Sequence, residues 1–414
     1  MGGDLKASLH EGGRGRSRGR GGARAQAALV SGQVALALML LVGAGLLIRS
    51  FQNLRAEDVG YRTADVLTLR IGLPQTRYPD ADSRRGFVGR LEERLDALPG
   101  VDAVGTTSRL PLRGPANDTD FNIEGRPLPP PEQAVTVWLR RITPGYPESM
   151  GMRLVSGRWI EDTDDESAPL VVVINEGLAR RFFPNEDPIG QRLNLNDTAN
   201  PQWRQIVGVA AEARHFSIQG GSRDALYLPY RQSVTSTFYV TVRSARDPAG
   251  LAAEVRAAVT EADPLLAVSE IQPMEAVVAG ALGPERFVTV LVGLFAGVAL
   301  VLAVVGLYGV VSYGVSQRVR EIGVRLAVGA ASGQVCGLVL RQSLWPVAVG
   351  LVLGVTGAAF LTRLMDSLLF GVSATDPWTY GLVSLLLALV AAAASALPAH
   401  RASCVDPIRV IKQE

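Results

Sequence analysis

Four long apolar stretches divide the chain, and one large polar region separates the first of them from the other three. Residues 27–48 are apolar over a length that crosses the roughly 30 Å core of a bilayer as a helix. Residues 287–315, 338–361 and 378–397 have the same character. Their Leu, Val and Ile content makes insertion into a bilayer favourable. The pattern predicts four transmembrane helices.

A cleaved signal peptide is the alternative interpretation of the first apolar stretch. Signal peptides have a shorter apolar core of about 7–15 residues, followed by a cleavage site of small residues. This stretch is longer and ends in Ile48-Arg49-Ser50-Phe51. An uncleaved membrane anchor is therefore favoured.

The polar region, residues 51–285, begins and ends with a helix between two strands. Residues 66–73 alternate as in a strand, and residues 101–107 read as a second strand. Between them, one helical face carries Phe87, Leu91, Leu95 and Leu98. The same layout returns as a strand at 238–242, a helix from Asp247-Pro248 and a strand at 267–271. The sequence predicts an α+β domain with two β-α-β units.

The middle of the polar region is predicted to be rich in strands and turns. Its clearest elements are strands at 135–142, 170–174 and 204–209 and a short helix at 175–183. An acidic run at 161–166 lacks the glycine and the terminal glutamate of a calcium loop, which favours a solvated turn.

The sequence offers no catalytic, cofactor-binding or metal site. The chain has two cysteines and three histidines, in none of the usual zinc spacings. A nucleophile elbow, an H-E-x-x-H helix and a Cys with a plausible His partner are all absent from the sequence. We therefore expect neither enzyme activity nor a cofactor.

Composition and charge place the predicted parts relative to the membrane. Hydrophobic residues make up 48% and charged residues 19% of the chain, which fits a membrane part plus a soluble part. The net charge of +2 gives no general case for nucleic-acid binding. The Gly/Arg-rich residues 1–26 are predicted to be a disordered cytosolic tail; an RNA-binding tail is the less favoured interpretation.

The positive-inside rule orients the four predicted helices. Basic residues concentrate in the N-terminal tail, in the loop 317–337 and in the C-terminal tail from residue 399, whereas Asp366 and Asp376 lie in the short loop between the last two helices. Both termini are thus predicted to be cytosolic and the domain 51–285 to lie outside. Cys336 and Cys404 then fall on the reducing side of the membrane.

The loop between the second and third predicted helices has the pattern of an amphipathic helix. Over residues 317–330, apolar side chains fall on one face and charged ones on the other. From periodicity alone, a loop resting on lipid headgroups is an equal alternative. A Walker A loop needs G-x-x-x-x-G-K-[ST], and neither Lys6 nor Lys412 stands in that context. If ATP drives this protein, a separate chain hydrolyses it.

The same loop, QRVREIGVRLAVGA, closely resembles the signature of MacB/FtsX-like ABC transporter permeases. The order of one helix, a large extracytoplasmic domain and three further helices is similar to that family, and so is the ending PAHRASCVDPI at 398–408. The resemblance implies a MacB periplasmic-core-like fold for 51–285 and an FtsX-like permease domain over 286–398.

The resemblance also implies partners and site residues. In that family the loop is a coupling helix, here 317–333, that docks on a cytosolic ABC ATPase dimer. The implied docking residues are Arg318, Arg320, Glu321, Ile322, Arg325, Leu326, Gly329 and Ala330. The chain looks like the second half of a duplicated permease, so a second permease unit is expected, as a homodimer or a paired half. The implied location is the bacterial cytoplasmic membrane, with an extracytoplasmic protein as a further partner.

Two glycine pairs are candidates for close helix packing in the membrane. Gly293 and Gly297 form one G-x-x-x-G pair, and Gly350 and Gly354 form another. Such pairs let helix backbones approach closely, although chance matches are common in glycine-rich membrane segments. The sequence does not distinguish the two pairs.

Two functions are consistent with these observations. One is the membrane subunit of an ABC-type efflux or mechanotransmission complex. The other is an FtsX-type regulatory protein that controls an extracytoplasmic partner such as a cell-wall hydrolase. An extracytoplasmic sensor is disfavoured because the tail after Pro398 is too short for a cytosolic output domain.

Overall fold

The computed structural model describes residues 15–113, 118–127, 136–195, 201–214, 223–317 and 332–403. It divides into two compact units: a helical unit, Met1–Ala56 with Pro284–Glu414, and an α+β unit, Glu57–Gly283.

The elements follow one another in this order: α1 (Gly15–Ala56), β1 (Val66–Gly72), α2 (Ala81–Asp96), β2 (Val101–Thr107), β3 (Asp118–Ile123), β4 (Thr136–Ile142), α3 (Tyr146–Ser149), β5 (Leu154–Gly157), β6 (Val171–Asn175), α4 (Glu176–Phe182), β7 (Arg192–Leu195), β8 (Arg204–Ala210), β9 (Ala225–Pro229), β10 (Thr237–Ser244), α5 (Pro248–Ala262), β11 (Val268–Pro273), α6 (Met274–Ala281), α7 (Gly283–Ser316), α8 (Ser332–Leu364) and α9 (Pro377–Ser403).

The two predicted β-α-β units are present, and their strands interleave in one sheet. The order is β11-β1-β10-β2, with every neighbouring pair antiparallel. A strand of one unit thus lies between strands of the other, as in the split β-α-β arrangement. The apolar faces of α2 and α5 join the sheet in one core that includes Leu69, Phe87, Val240 and Val255. Each such side chain contributes about 1.5–3 kcal/mol when fully buried.

The middle of the α+β unit is a ring of strands. Pairing runs β4-β3-β7-β8-β6-β9 and returns to β4 through a parallel β4–β9 pair, so the six strands close on themselves. Val137, Val172, Ile206 and Leu226 fill the core, which Leu178 of α4 joins. Closure leaves these six strands paired on both sides, which removes exposed edges.

In the described part of the helical unit, four helices have the length and apolarity of membrane spans: Arg24–Ala56, Gly283–Ser316, Leu340–Leu364 and Pro377–Arg401. Their shared core includes Val34 and Leu38 of α1, Leu307 of α7, Val347 of α8 and Leu387 of α9.

The N-terminal tail differs from its prediction. Residues 1–26 were predicted to be a disordered tail. Residues 1–14 lie outside the described part of the chain, whereas residues 15–26 belong to α1 and are helical. Extending an existing helix adds one hydrogen bond for each residue that is ordered, whereas starting a helix is costly. The stable apolar segment that follows therefore allows the helix to continue into a glycine-rich sequence.

Candidate functional site in the helical unit

The predicted ATPase-coupling residues lie outside the described part of the chain. Arg318, Arg320, Glu321, Ile322, Arg325, Leu326, Gly329 and Ala330 all fall within 318–331, and their docking role stays a prediction. The structure does describe both flanks of this segment. α7 ends at Ser316, where the Gln317 Nε2 donates to the Tyr313 hydroxyl at 2.8 Å, and α8 begins at Ser332.

Gly350 and Gly354 lie where α8 packs closely on α1. A Cβ atom built on Gly350 would be 2.7 Å from the Ser31 carbonyl oxygen and 2.8 Å from the Cβ of Val34. One built on Gly354 would be 2.9 Å from the Cβ of Leu38. The Ser31 hydroxyl also donates to the carbonyl oxygen of Pro346 at 2.8 Å. Glycine at both positions permits this backbone approach.

Gly293 and Gly297 have a different environment on α7. Among the residues that the structure describes, no atom beyond the neighbouring part of α7 itself lies within 4 Å of a Cβ built on either glycine. Only 11% of the most apolar window of α7 is buried within the chain, against 56% for α1. The structure therefore brings one predicted glycine pair into a helix contact and leaves the other on an open face of α7.

Gln33 of α1, a polar residue in the first apolar stretch, lies against Gly306 of α7. A Cβ built on Gly306 of α7 would fall within 2.1 Å of the Gln33 Oε1, so a larger residue there would collide with the amide. Gln33 Oε1 is buried and has no hydrogen-bond partner among the described residues. A polar residue within an apolar segment was the available signal.

A cluster of polar contacts holds the end of α1 to the loop between α8 and α9. Arg49 forms an ion pair with Asp376, and the Asn53 Nδ2 donates to the Gly371 carbonyl at 3.1 Å. The Ser50 hydroxyl accepts from the Phe370 amide at 2.9 Å. We call these contacts the α1 clasp.

Asp376 also caps the N-terminus of α9, and the cap holds its carboxylate in position for the α1 clasp. Its Oδ2 accepts from the backbone nitrogen of Thr379 at 3.0 Å and from the Thr379 hydroxyl at 2.6 Å. Asp followed by Pro377 at the first helical position is a standard helix start. The sequence signal for this cap was present, but the partner on α1 is distant in the chain.

In the α+β unit, the acidic run 161–166 is a turn held by one buried carboxylate. Asp164 makes two hydrogen bonds to the Arg158 guanidinium, at 2.7 and 2.8 Å, and accepts from the Glu161 amide at 2.9 Å. Burial alone raises the pKa of Asp164, but these hydrogen bonds outweigh burial and hold the pKa below its usual range. Among the described residues, no group of His, Cys, Asp and Glu is arranged to hold a metal ion.

In the described part of the chain, four membrane-length helices, with an α+β unit between the first and second along the sequence, define a multi-pass membrane protein with one large polar domain. Residues 27–258, more than half of the chain, match the MacB-like periplasmic core domain, and residues 293–407 match the FtsX-like permease C-terminal region. The chain belongs to the MacB/FtsX family of ABC transporter permeases.

Relatives of this chain include export proteins. It is 23% identical to the uncharacterized ABC transporter permease YknZ of Bacillus subtilis over 81% of each chain. It is 24% identical to the macrolide export ATP-binding/permease protein MacB of Azoarcus sp. over 93% of this chain and 56% of that protein. For the pyoverdine export protein PvdT of Pseudomonas aeruginosa, the identity is 24% over 65% of this chain and 41% of that protein. The chain thus spans about half the length of these MacB and PvdT relatives.

Among solved structures, the periplasmic region of MacB from Actinobacillus actinomycetemcomitans aligns with a TM-score of 0.38 and 15% identity, covering 57% of this chain and 98% of that one.

Proposed function

We propose that this protein is the permease subunit of an ABC-type efflux or mechanotransmission complex, driven by a separate cytosolic ATPase that docks on residues 317–330. The observation that carries the proposal is the continuity of α7. This helix starts at Gly283, where the α+β unit ends, and runs without a break for 34 residues to Ser316, next to the predicted docking segment. At 1.5 Å per residue it is about 50 Å long, more than a bilayer core.

The contacts within the helical unit support the proposed topology. The α1 clasp brings the α8–α9 loop to the end of α1 that leads into the α+β unit. At the other end, the Arg401 guanidinium near the end of α9 donates to the Tyr308 hydroxyl of α7 at 3.1 Å. With four alternating spans, both termini and residues 317–330 would share one side of the membrane, and the positive charge of these segments supports the cytosol as that side.

The unequal burial of the helices supports different roles for them: α1, α8 and α9 as a packed group, and α7 as the helix that transmits movement. α1, α8 and α9 share glycine contacts and the clasp, whereas α7 contributes few buried side chains, among them Ala303, Leu307 and Val311. Because few contacts join α7 to the other helices of its own chain, a shift of α7 against those helices loses little packing. In the proposed cycle, movement imposed at residues 317–330 passes along α7 to the α+β unit.

The proposed partners follow from the family and from the names of its members. MacB and PvdT are named as ATP-binding/permease proteins, which supports an ABC ATPase dimer as the partner here. A second permease unit would cover the open face of α7 that carries Gly293 and Gly297, and lipid would cover the remaining apolar surface. The bacterial cytoplasmic membrane is the corresponding location.

Charge reversal in the docking segment tests the proposal. Glu321→Lys and Arg325→Glu should each abolish co-purification with an ABC ATPase encoded beside this gene, and should abolish the permease-dependent change in ATPase rate. Arg256→Glu is the matched control, since Arg256 is exposed on α5 of the α+β unit. If both docking variants still bind and regulate the ATPase as wild type does, the coupling role is wrong.

The FtsX-type alternative is a regulatory membrane protein, and it is equally compatible with the match of residues 293–407 to the FtsX-like permease region. It shares the docked ATPase but moves no substrate across the membrane. Pull-down through the α+β unit would then recover an extracytoplasmic hydrolase, and ATP turnover would change that enzyme's activity. Accumulation of an exported compound on deletion of the gene would decide for efflux.

A further inference from the structure

The strands β4 and β9 carry side chains on two opposite faces, and only one of these faces belongs to the core of the ring. In the parallel pairing of the two strands, Leu139 lies beside Leu226, and Arg140 lies beside Tyr227. Both leucines belong to the core of the ring. Successive side chains of a strand point to opposite faces, so Arg140 and Tyr227 face away from that core. Trp138 lies two residues before Arg140 and shares its face.

Arg140 is buried on this second face. It is 2% exposed, and Trp138 beside it is 5% exposed. The Arg140 Nη1 donates to the Arg109 carbonyl oxygen at 3.3 Å, and the guanidinium lies 5.9 Å from the centre of the Trp138 ring. The Arg140 Nε is buried and has no hydrogen-bond partner among the described residues. Arginine does not lose its proton in proteins, so a full positive charge lies in the interior.

No described carboxylate balances this charge. Arg140 forms no ion pair with an Asp or Glu of the described chain, and the ionisable groups that act on it most strongly are Tyr146, Tyr227, Tyr61 and a second cation, Arg109. Burial lowers the pKa of Arg140, and the positive charge of Arg109 adds to the effect. A buried charge without a counter-charge is strongly unfavourable. The surroundings of Arg140 therefore call for a negative charge that the described side chains do not supply.

A second buried donor lies close to Arg140. Tyr146 of α3 is 0% exposed, and its hydroxyl has no hydrogen-bond partner among the described residues. This hydroxyl lies next to the Thr107 side chain. The Thr107 hydroxyl donates at 3.1 Å to the same Arg109 carbonyl oxygen that accepts from Arg140. The guanidinium and the tyrosine hydroxyl therefore converge on the turn 107–109.

We propose that Arg140 and Tyr146 form a buried site for a small inorganic anion, with chloride as the expected occupant. The Arg140 Nε and the Tyr146 hydroxyl would donate to the anion, and its charge would balance the guanidinium. A halide ion accepts hydrogen bonds and donates none, which suits two donors that have no acceptor. The neighbouring side chains of Trp138, Tyr61 and Tyr227 are 5%, 6% and 0% exposed, so the site is enclosed and takes a small ion rather than an organic acid.

Anion binding at this site would join parts of the α+β unit that are separate in the fold. Arg140 belongs to the ring through β4, whereas Tyr146 belongs to α3, outside the ring. An anion between them would stabilise the folded unit, and its occupancy would follow the chloride concentration around that unit. The site does not involve the docking segment 317–330, so it can be tested apart from ATPase coupling.

Urea unfolding of the full-length protein in phospholipid nanodiscs measures the contribution of the anion. Tryptophan emission follows the α+β unit, which contains Trp138, Trp159 and Trp203. Sodium chloride replaces sodium gluconate at constant ionic strength, so that screening does not change. An anion that binds only the folded state lowers the unfolding constant about tenfold for each tenfold rise in its concentration above the dissociation constant. The wild type should show this dependence with chloride and with bromide.

Arg140→Met removes the buried charge and keeps a long apolar side chain. Its unfolding should not depend on chloride, and at low chloride it should be at least as stable as the wild type, because an unbalanced charge is no longer buried. Arg141→Met is the matched control. Arg141 is the next residue of the same strand, and its Nε donates to the Ser233 hydroxyl at 2.8 Å, so this variant should keep the wild-type chloride dependence.

Tyr146→Phe removes a single hydroxyl and is the second variant, for the case in which Arg140→Met does not fold. It should shift the chloride dependence to higher concentration. Tyr61→Phe is the matched control, because the Tyr61 hydroxyl already donates to the Arg214 carbonyl oxygen at 3.3 Å, and it should keep the wild-type dependence.

Chloride NMR line broadening measures binding without unfolding. The wild-type protein should broaden the chloride signal, and Tyr146→Phe should broaden it less at the same chloride concentration. Wild-type unfolding that does not respond to chloride would overturn the proposal and assign the partner of the Arg140 Nε to water. So would an Arg140→Met variant with an undiminished chloride response.

Discussion

The substitution Gly350→Ala adds a methyl group at a position where α1 and α8 are already in contact. The new Cβ would lie 2.7 Å from the Ser31 carbonyl oxygen and 2.8 Å from the Cβ of Val34, whereas ordinary contact begins at 3.4 Å. One of the helices must therefore shift by about 0.6–0.7 Å, or the contact must open. Overpacking of this kind costs about 1–3 kcal/mol, against a gain of up to about 1 kcal/mol from replacing glycine in a helix.

The expected net effect of Gly350→Ala is a loss of about 1–2 kcal/mol in the free energy of unfolding of the helical unit. SDS titration of the full-length protein in mixed micelles, followed by the helical circular dichroism signal, measures it. Gly293→Ala is the matched control, because the same G-x-x-x-G pattern there meets no atom within 4 Å. We expect the control to be neutral or slightly stabilising.

Two results would refute this reasoning. If Gly350→Ala is as stable as wild type, α1 and α8 do not pack as closely as the structure shows. If Gly293→Ala is destabilised equally, the two glycine pairs are equivalent and the structural distinction between them is wrong. A concentration-dependent loss confined to Gly293→Ala would instead locate the second permease unit on α7.

Two further variants test individual polar contacts. Arg49→Gln and Asp376→Asn should each lower the stability of the helical unit by about 0.5–1 kcal/mol. The double variant should lose little more than either single variant, because both substitutions remove the same ion pair. Additive losses in the SDS titration would contradict the pairing. Asp263 accepts hydrogen bonds from a tyrosine, an arginine and the Leu265 amide, which outweigh burial and lower its pKa. Its stabilisation is therefore present above its unfolded-state pKa and lost as pH falls through the lower folded-state value. Asp263→Asn should lower the free energy of unfolding by about 1–3 kcal/mol near neutral pH, and by less below about pH 4. Denaturant unfolding followed by tryptophan emission measures this loss. A loss that does not change with pH, or an equal loss in Glu261→Gln, would show that the ionised Asp263 carboxylate is not its cause.

Much of the architecture could be predicted because its causes are local in sequence. Apolar runs long enough to cross a bilayer core predicted the four membrane helices, and alternation predicted the strand at 66–73, which the structure has as β1. The strand predicted at 101–107 has the bounds of β2. The short helix predicted at 175–183 is α4, and Asn175 caps it by accepting a hydrogen bond from the Leu178 amide. The docking segment 317–330 was likewise found by its motif alone, and its role still rests on that motif.

What only the tertiary structure decided depends on residues far apart in the chain. Two identical glycine patterns differ because Ser31 and Val34 face Gly350, while the described structure leaves Gly293 open. Asp376 reads as a helix cap in the sequence but forms the α1 clasp because Arg49 lies beside it. Glu92 reads as one more polar residue on a helix, and only its burial in the folded α+β unit, with the nearby negative charges of Asp162 and Asp96, raises its pKa to about 7. Local patterns specify which elements form, whereas packing density, charge pairing and pKa depend on distances between elements, which a single sequence does not display.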